Sequence, residues 1–369
     1  MRKIVKWLNE STYISPLSPA CKMCAQGAKM VVLVTGLCSA KCFYCPLSAK
    51  KKGKDRIFAN EWELKDEKDI KKLIQEAKYI DAKGAGITGG DPLIVWKRTK
   101  NYISILKEHF GSDFHIHLYT CGTINGDKVN ELISEGLDEI RYHPEPIYWS
   151  NMNKSPMISS IKKAVKTDAD VAIEIPMIHG MKKETFTLIN WANNNEIKWI
   201  NLNELEFSET NAKELIKKNY TVKDDISAAV KESQESAYDI IDIISNEDFE
   251  IGVHYCSSSF KDGIQLRNRI KRRAKNIAKK YEIITDDGTL LKGIILSNNV
   301  SLNKIYNILI KNFNIKHNYV LQNKEKNRIE IASWILEKIS YKLKKQGFEC
   351  FLVEEYPTAD ALEVERIPL

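Results

Sequence analysis

Between about residues 30 and 207, six short runs of β-branched and aliphatic residues alternate with amphipathic stretches of helical period. No other feature restricts the fold of this chain so strongly. The runs are Met30–Thr35, Ala85–Thr88, His115–Thr120, Glu139–His143, Val171–Met177 and Trp199–Phe207. Between them, Leu64–Ile80 places Ile70, Leu73, Ile74 and Ala77 on one face, and Thr99–Phe110 does the same with Tyr102, Ile105 and Leu106. Asp127–Glu135, Ser159–Val165 and Lys183–Asn193 complete the series. A period near 3.6 marks an amphipathic helix, and short apolar runs between turn residues mark strands. Repeated βα units predict an α/β fold whose parallel sheet has helical crossovers, either open or wound as a partial barrel.

Beyond residue 207 the order changes. A long polar helix is expected over Val222–Ser245, then a strand at Ile251–Tyr255 and a basic helix at Lys261–Lys280. Tyr281–Leu296 reads as a hairpin turning at Asp286-Asp287-Gly288. Helix Leu302–Asn312, strand Asn318–Leu321, helix Ile329–Gln346, strand Glu349–Tyr356 and an edge strand within Ala361–Leu369 build a smaller α+β unit. Three parts are therefore expected: an N-terminal segment 1–29, a barrel with its closing helices over 30–280, and a C-terminal α+β domain over 281–369. With 43% hydrophobic residues in a chain of 369, there is ample apolar material for two cores. No internal repeat or low-complexity tract interrupts it.

The charge balance permits an anionic partner without demanding one, since 56 Lys and Arg against 49 Asp and Glu leave +7. No apolar run reaches the roughly 18 residues that a membrane span needs. The opening Met1-Arg2-Lys3-Ile4-Val5-Lys6 has no signal-peptide pattern, so the expectation is a cytoplasmic protein with no membrane association.

Five of the eight cysteines lie between residues 21 and 45. Such crowding in a chain of this kind points to metal chemistry and away from a disulfide scaffold. Cys38-Ser39-Ala40-Lys41-Cys42-Phe43-Tyr44-Cys45 follows the first strand and Gly36. Three thiolates on one loop can hold three irons of a [4Fe–4S] cluster, whose usual complement is four cysteines. The vacant position is the mark of a catalytic metal site, and the end of a barrel strand is where such folds do their chemistry. A fragment of a zinc site is the plainer alternative, but zinc ligands come in pairs two to four residues apart, and a triplet fits them poorly.

On these residues the chain resembles the radical S-adenosylmethionine (radical SAM) superfamily. Its signature is three cysteines with three and then two residues between them, and an aromatic before the last. Cys38, Cys42, Tyr44 and Cys45 fill those positions. Within the superfamily the resemblance is to archaeal proteins related to pyruvate formate-lyase activating enzyme. It implies a partial (βα)6 barrel, a [4Fe–4S] cluster and S-adenosylmethionine held at the open iron. It also implies one-electron cleavage of the sulfonium to methionine and a 5′-deoxyadenosyl radical that abstracts hydrogen, the electron coming from a donor such as a ferredoxin or flavodoxin.

A second stretch matches the same family. Thr88-Gly89-Gly90-Asp91-Pro92 stands where the family has Gly-Gly-Glu-Pro, whose backbone meets the S-adenosylmethionine ammonium. Glycine lets a backbone come close to a ligand, and Asp91 keeps the usual charge on a shorter arm. The formal G-x-G-x-x-G of Gly84–Gly89 surrounds a strand instead of following one, so a dinucleotide reading is weaker. Thr120 at the end of the third strand is a further cofactor-binding candidate. Glu174, an acid in an apolar strand, could accept from ribose hydroxyls. Asn203 shares one face of the sixth strand with Asn201, opposite Glu204 and Glu206. Arg141 and His143 are weaker pocket candidates.

Two features remain. Cys21 and Cys24 have the spacing of a metal knuckle, and His254 with Cys256 offers two more ligands. Together they could close a structural zinc site, hold an auxiliary iron–sulfur cluster, or share no site at all. Cys121 and Cys350 read as small buried hydrophobes. The run from Arg267 to Lys280 has an apolar seam at Ile270, Ala274, Ile277 and Tyr281 and a cationic remainder, which would suit RNA or a solvated surface. The substrate could thus be RNA, a protein glycyl position or a small metabolite. The rival is an iron–sulfur regulatory protein that binds S-adenosylmethionine without radical catalysis.

Overall fold

The structure, a computed structural model, describes residues 1–225, 227–297 and 299–369. The chain divides into two compact units, residues 1–78 with 82–266, and residues 79–81 with 267–369. The basic stretch expected as one helix over Lys261–Lys280 is divided, residues 261–266 falling in the first unit and Arg267 onward in the second.

In the first unit, seven parallel strands form one continuous sheet: β3 (Lys29–Leu33), β6 (Gly84–Thr88), β7 (His115–Thr120), β8 (Glu139–Tyr142), β9 (Asp170–Met177), β10 (Trp199–Glu204) and β11 (Gly252–Cys256). Helices α2 (Ile70–Tyr79), α3 (Trp96–Phe110), α4 (Val129–Ser134), α5 (Ile158–Ala164) and α6 (Lys182–Asn193) make the crossovers, and α8 (Ser233–Asn246) precedes β11. The buried faces follow the expected period: Leu73 and Ala77 on α2, and Tyr102, Ile103 and Leu106 on α3, have no exposed surface. Antiparallel pairs flank the sheet, β1 (Ile4–Lys6) with β2 (Thr12–Ile14) at one edge and β4 (Ile57–Ala59) with β5 (Trp62–Leu64) at the other. A short helix, α1 (Pro19–Ala25), lies between β2 and β3, capped by Ser18, whose hydroxyl accepts from the Ala20 amide.

Two expected elements differ. Of the helix expected over Val222–Ser245, residues 222–225 and 227–232 are not helical: Val222 and Val230 form a bridge, and helix α8 begins only at Ser233, while Ile226 lies outside the described residues. The predicted helix Ile329–Gln346 begins instead as a strand, β15 (Arg328–Ile331), followed by α12 (Ser333–Lys344). Its first three residues, Ile329–Ile331, pair with both β13 (Leu290–Leu296) and β14 (Val320–Asn323), so tertiary pairing overrides local periodicity. The second unit is an antiparallel sheet in the order β14-β15-β13-β16-β17, with β16 at Glu349–Glu355 and β17 at Glu363–Pro368. Its core gathers Ile295, Ile305, Leu309, Ile329, Ile331, Leu336 and Cys350.

Candidate functional site

The cysteine loop leaves β3 through Gly36 and folds back on itself. Gly36 donates its amide to Lys54 O at 2.8 Å, and Gly53 donates to Gly36 O at 2.8 Å. A Cβ on Gly36 would lie 1.8 Å from Lys51 O, so the closure demands glycine. Residues after β10 hold the loop from the other side. Asn211 Nδ2 donates to Tyr44 O at 3.0 Å, and Thr210 Oγ1 donates to Leu47 O at 2.9 Å. The Tyr44 hydroxyl meets His143 Nε2 at 3.0 Å. Cys38 is exposed while Cys42 and Cys45 are half-buried. Burial pushes the Cys42 thiol up to about 11, whereas a hydrogen bond with Cys121 holds Cys38 down to about 7.

Gly89 and Gly90 also stand where two backbones cross. Gly90 donates to Thr35 O at 2.7 Å and Asp91 to Leu37 O at 2.7 Å, which ties this turn to the root of the cysteine loop. A Cβ on Gly89 would meet Thr35 O at 2.3 Å, and one on Gly90 would meet Leu37 O at 2.0 Å. Asp91 is fully buried. Its Oδ1 accepts from the Leu93 amide at 3.1 Å and from Thr120 Oγ1 at 2.6 Å, capping the 3-10 turn Pro92–Val95. Burial raises its carboxyl above the usual range. Asp91 thus braces the strand ends from behind. Gly84 and Gly86 likewise serve the barrel interior: a Cβ on Gly86 would lie 2.7 Å from the His117 ring.

Inside the barrel, Arg141 is the hub of a buried network. It donates to Glu139 Oε1 and to Glu174 Oε2, both at 2.6 Å, and to Ser18 Oγ at 3.0 Å. Asn201 Nδ2 donates to Glu174 Oε2 and Asn203 Nδ2 to Glu174 Oε1, each at 2.9 Å. Burial opposes ionisation of Glu174, but Arg141 and the two amides outweigh it and hold the carboxyl below its ordinary value.

The four residues expected to share a second metal do not form one site. Cys21 Sγ accepts from Arg141 Nη2 at 3.4 Å and from Asn201 Nδ2 at 3.5 Å. His254 Nδ1 faces Asn201 Oδ1 at 3.3 Å, and Cys256 Sγ accepts from Gln265 Nε2 at 3.6 Å. Burial, with Arg141 nearby, pushes the His254 imidazole down to about 3, and burial pushes Cys24 up to about 11. Among the described residues no three His, Cys, Asp or Glu side chains are gathered around a point fit for an ion, the loop cysteines included. The two sets differ in their surroundings. Cys21 is already committed to a guanidinium, which repels a dication, while the loop cysteines border open space.

That space is a cavity of about 1080 Å³. Cys38, Cys42, Tyr44 and Cys45 line it together with Gly89, Gly90, Thr120, Glu174 and Asn203, and Asp91 does not. Cys121 and His143 also face it, as does the Lys261–Glu206 ion pair. Sequence reasoning missed Cys121 and Lys261. The position of Cys121 directly after Thr120, at the end of a barrel strand, was the available signal.

The sequence profile of the radical SAM superfamily matches residues 32–190, and that of a domain of unknown function matches residues 288–369. A protein of Methanocaldococcus jannaschii, named as a glycyl-radical enzyme activating enzyme, is 41% identical over 100% of this chain and 96% of its own length. The chain belongs to the radical SAM superfamily. Within it, the protein is related to the pyruvate formate-lyase activating enzymes, and it is an enzyme that uses a [4Fe–4S] cluster and S-adenosylmethionine for radical chemistry. A GTP 3′,8-cyclase of Clostridium perfringens is 26% identical over 45% of this chain and 52% of its own length. Among solved structures, Streptococcus suis SuiB bound to S-adenosylmethionine matches with a TM-score of 0.43 and 13% identity, over 62% of this chain and 49% of that one. No helix among the described residues is long and apolar enough to cross a membrane.

Proposed function

We propose that Cys38, Cys42 and Cys45 hold the cluster and that S-adenosylmethionine occupies the adjoining cavity, from which a hydrogen atom is taken from a glycyl position of a partner protein. The observation that carries the site assignment is that all three cysteines, the Gly89-Gly90 turn and the Glu174 network line one cavity of about 1080 Å³. The donor set suits the cluster, because three soft thiolates on one loop leave one iron for a ligand that is not protein. When bound, the cluster and S-adenosylmethionine supply a 5′-deoxyadenosyl radical.

The chain's own residues bind and orient. Gly89 and Gly90 offer backbone groups at the cavity wall, and Thr120 is held in place by Asp91. Glu174 stays ionised and retains acceptor capacity on Oε1, which receives one amide from Asn203 and can take a ribose hydroxyl. Tyr44, fixed by His143, walls the cluster side against water. The electron comes from a low-potential carrier such as a ferredoxin or flavodoxin in a reducing cytoplasm.

A protein glycyl target is favoured by the full-length similarity to a protein named as an activating enzyme. RNA is less favoured, because the basic helix spends cations within its own unit: Arg267 pairs with Asp287 at 3.2 Å and Arg272 with Asp81 at 2.8 Å. Cys21, Cys24, His254 and Cys256 are read as the thiol and imidazole lining of the barrel interior, in place of a zinc or auxiliary cluster site. The test uses macromolecules from host cells grown on α-deuterated glycine, incubated with reduced enzyme and S-adenosylmethionine. Deuterium should enter 5′-deoxyadenosine from the protease-sensitive fraction. Deuterium only from nuclease-sensitive or small-molecule fractions would defeat the glycyl reading. No 5′-deoxyadenosine at all would favour a regulatory S-adenosylmethionine-binding protein.

A further inference from the structure

Residues 41–54 carry five lysines, Lys41, Lys50, Lys51, Lys52 and Lys54, and no aspartate or glutamate. This short segment therefore brings +5, where the whole chain sums to +7. Lys41, Lys51 and Lys52 line the cavity with the loop cysteines, and Lys50 and Lys54, their neighbours in the chain, are exposed. The segment is held in place through its backbone. Lys51 and Lys52 donate their amides to Ser48 O at 2.9 and 2.8 Å, Lys54 O accepts from Gly36 at 2.8 Å, and Ala49 donates its amide to Glu209 Oε1 at 2.8 Å. Lys50 and Lys51 lie over the Phe58 ring, 5.6 and 4.5 Å from its centre. Lys41, Lys52 and Lys54 pair with no carboxylate among the described residues.

The cavity's own carboxylates do not call for these cations. Glu174 is held by Arg141 at 2.6 Å, Glu206 by Lys261, and Glu214 by Lys217 at 2.6 Å. S-adenosylmethionine does not call for them either, because its sulfonium adds a positive charge to a zwitterionic amino acid and is repelled by lysines. We propose that the lysine segment 41–54 receives an acidic stretch of the partner protein, adjoining the glycyl position that enters the cavity. This rests on the glycyl reading above. A glycine has no side chain to recognise, so the choice of one glycyl position must fall on its neighbours in sequence, and complementary charge is a means of making that choice. An extended polyanion fits better than a single anionic group, since the lysines stand both on the cavity wall, at Lys41, Lys51 and Lys52, and outside it, at Lys50 and Lys54.

Two consequences have signs that a structural role would not produce. Exposed charges act mainly on encounter and fade with salt, because the screening length falls from about 10 Å at 0.1 M to about 3 Å at 1 M. With each exposed contact worth roughly twofold, neutralising three lysines should raise the partner concentration needed for half-maximal transfer about tenfold at low salt. The cofactor responds in the opposite sense. Removing cations from its surroundings does not weaken the binding of a sulfonium.

The experiment compares the reconstituted parent with two triple variants, Lys50→Gln with Lys52→Gln and Lys54→Gln, and the same three positions changed to arginine. Dithionite supplies the electron, so no protein carrier is needed, and the probe is the protein fraction of host cells grown on α-deuterated glycine. The readout is deuterium transferred per 5′-deoxyadenosine formed, followed against the amount of protein fraction, so that a partly inactive preparation does not move it. At low salt the glutamine variant should need about tenfold more protein fraction for half-maximal transfer and the arginine variant a parent-like amount, and the gap should close near 1 M salt. Equal half-saturation of parent and glutamine variant, a gap that survives high salt, or weaker S-adenosylmethionine binding by the glutamine variant overturns the proposal. A defect that appears only when a reduced ferredoxin or flavodoxin replaces dithionite also overturns it, since the lysines would then serve the electron carrier. Failure of the glycyl reading looks different: the parent itself would draw no deuterium from protease-sensitive material, and lysine-dependent transfer from nuclease-sensitive material would make the polyanion a nucleic acid and sink both.

Discussion

Replacing Arg141 by Met removes the charge that holds the barrel interior together while keeping most of the side chain's length. The guanidinium is almost wholly buried and donates to Glu139, Glu174, Ser18 and Cys21. Without it, two carboxylates on the neighbouring strands β8 and β9 lose their counter-ion, and the Glu139 side chain has no exposed surface at all. Breaking a buried pair by deleting one partner costs about 3–5 kcal/mol, since the remaining charge stays uncompensated. For a unit of this size that corresponds to a fall in melting temperature of roughly 6–20 °C. The pH dependence tests the electrostatic origin of the loss. In the parent, Glu174 is depressed from its ordinary 4.5, so its contribution is present above about that pH and fades as pH falls through the lower folded value. In the variant, burial is no longer outweighed and the carboxyl rises, so ionisation is penalised at neutral pH and the penalty is relieved in acid. The gap between parent and variant should therefore be widest near pH 7 and narrow as pH drops towards 4. Calorimetry across that range is the assay. A loss below about 1 kcal/mol, or a gap that does not change with pH, would refute the idea that Arg141 works as a buried counter-ion.

Gly90→Ala should destabilise the first unit by about 1–3 kcal/mol, because the new methyl lands 2.0 Å from Leu37 O. Cluster iron and S-adenosylmethionine binding should fall together in this variant, and a selective loss of binding at unchanged melting temperature would contradict the strand-tie role. Thr120→Val removes the donor to Asp91, whose other oxygen already has no partner among the described residues. It should cost about 1–3 kcal/mol near neutral pH and less in acid, since Asp91 is already raised and would rise further; urea titrations at two pH values read this directly. Cys24→Ala and His254→Ala should leave metal content unchanged by elemental analysis, and co-purifying zinc that disappears in either variant would revive the second metal site.

The strand ends that carry the site were legible because they follow from local chemistry. His115–Thr120 is a strand both by pattern and by pairing, and β6, β8, β9 and β10 depart from expectation by a residue or so at most ends. The cysteine triplet was legible for the same reason, since the spacing along one loop is itself the signal. Short edge pairs such as β1 with β2 and β4 with β5 were not, because three residues are too few to show a period and their pairing comes from neighbours. The start of α12 was misplaced because Arg328–Ile331 alternates as well as it spirals, and only the flanking strands choose between the two.

The sequence by itself determined the α/β alternation, the loop that bears Cys38, Cys42 and Cys45, and the glycine turn at the next strand end. Only the tertiary structure decided what those residues face. Arg141 meets Ser18 and Cys21 across more than a hundred residues of chain, so no local pattern could reveal that a guanidinium fills the place where a zinc ion had been expected. Gly90 looks like a ligand-approach glycine in one dimension, and in three it lines the cavity and is a backbone crossing as well. Cys121 looks like a small apolar residue until the sheet sets β7 beside the cysteine loop. The physical reason is common to all three: side-chain period is fixed by the backbone nearby, but the partner of an inward-facing group is fixed by strand order, which is settled only when the whole sheet curls around its interior.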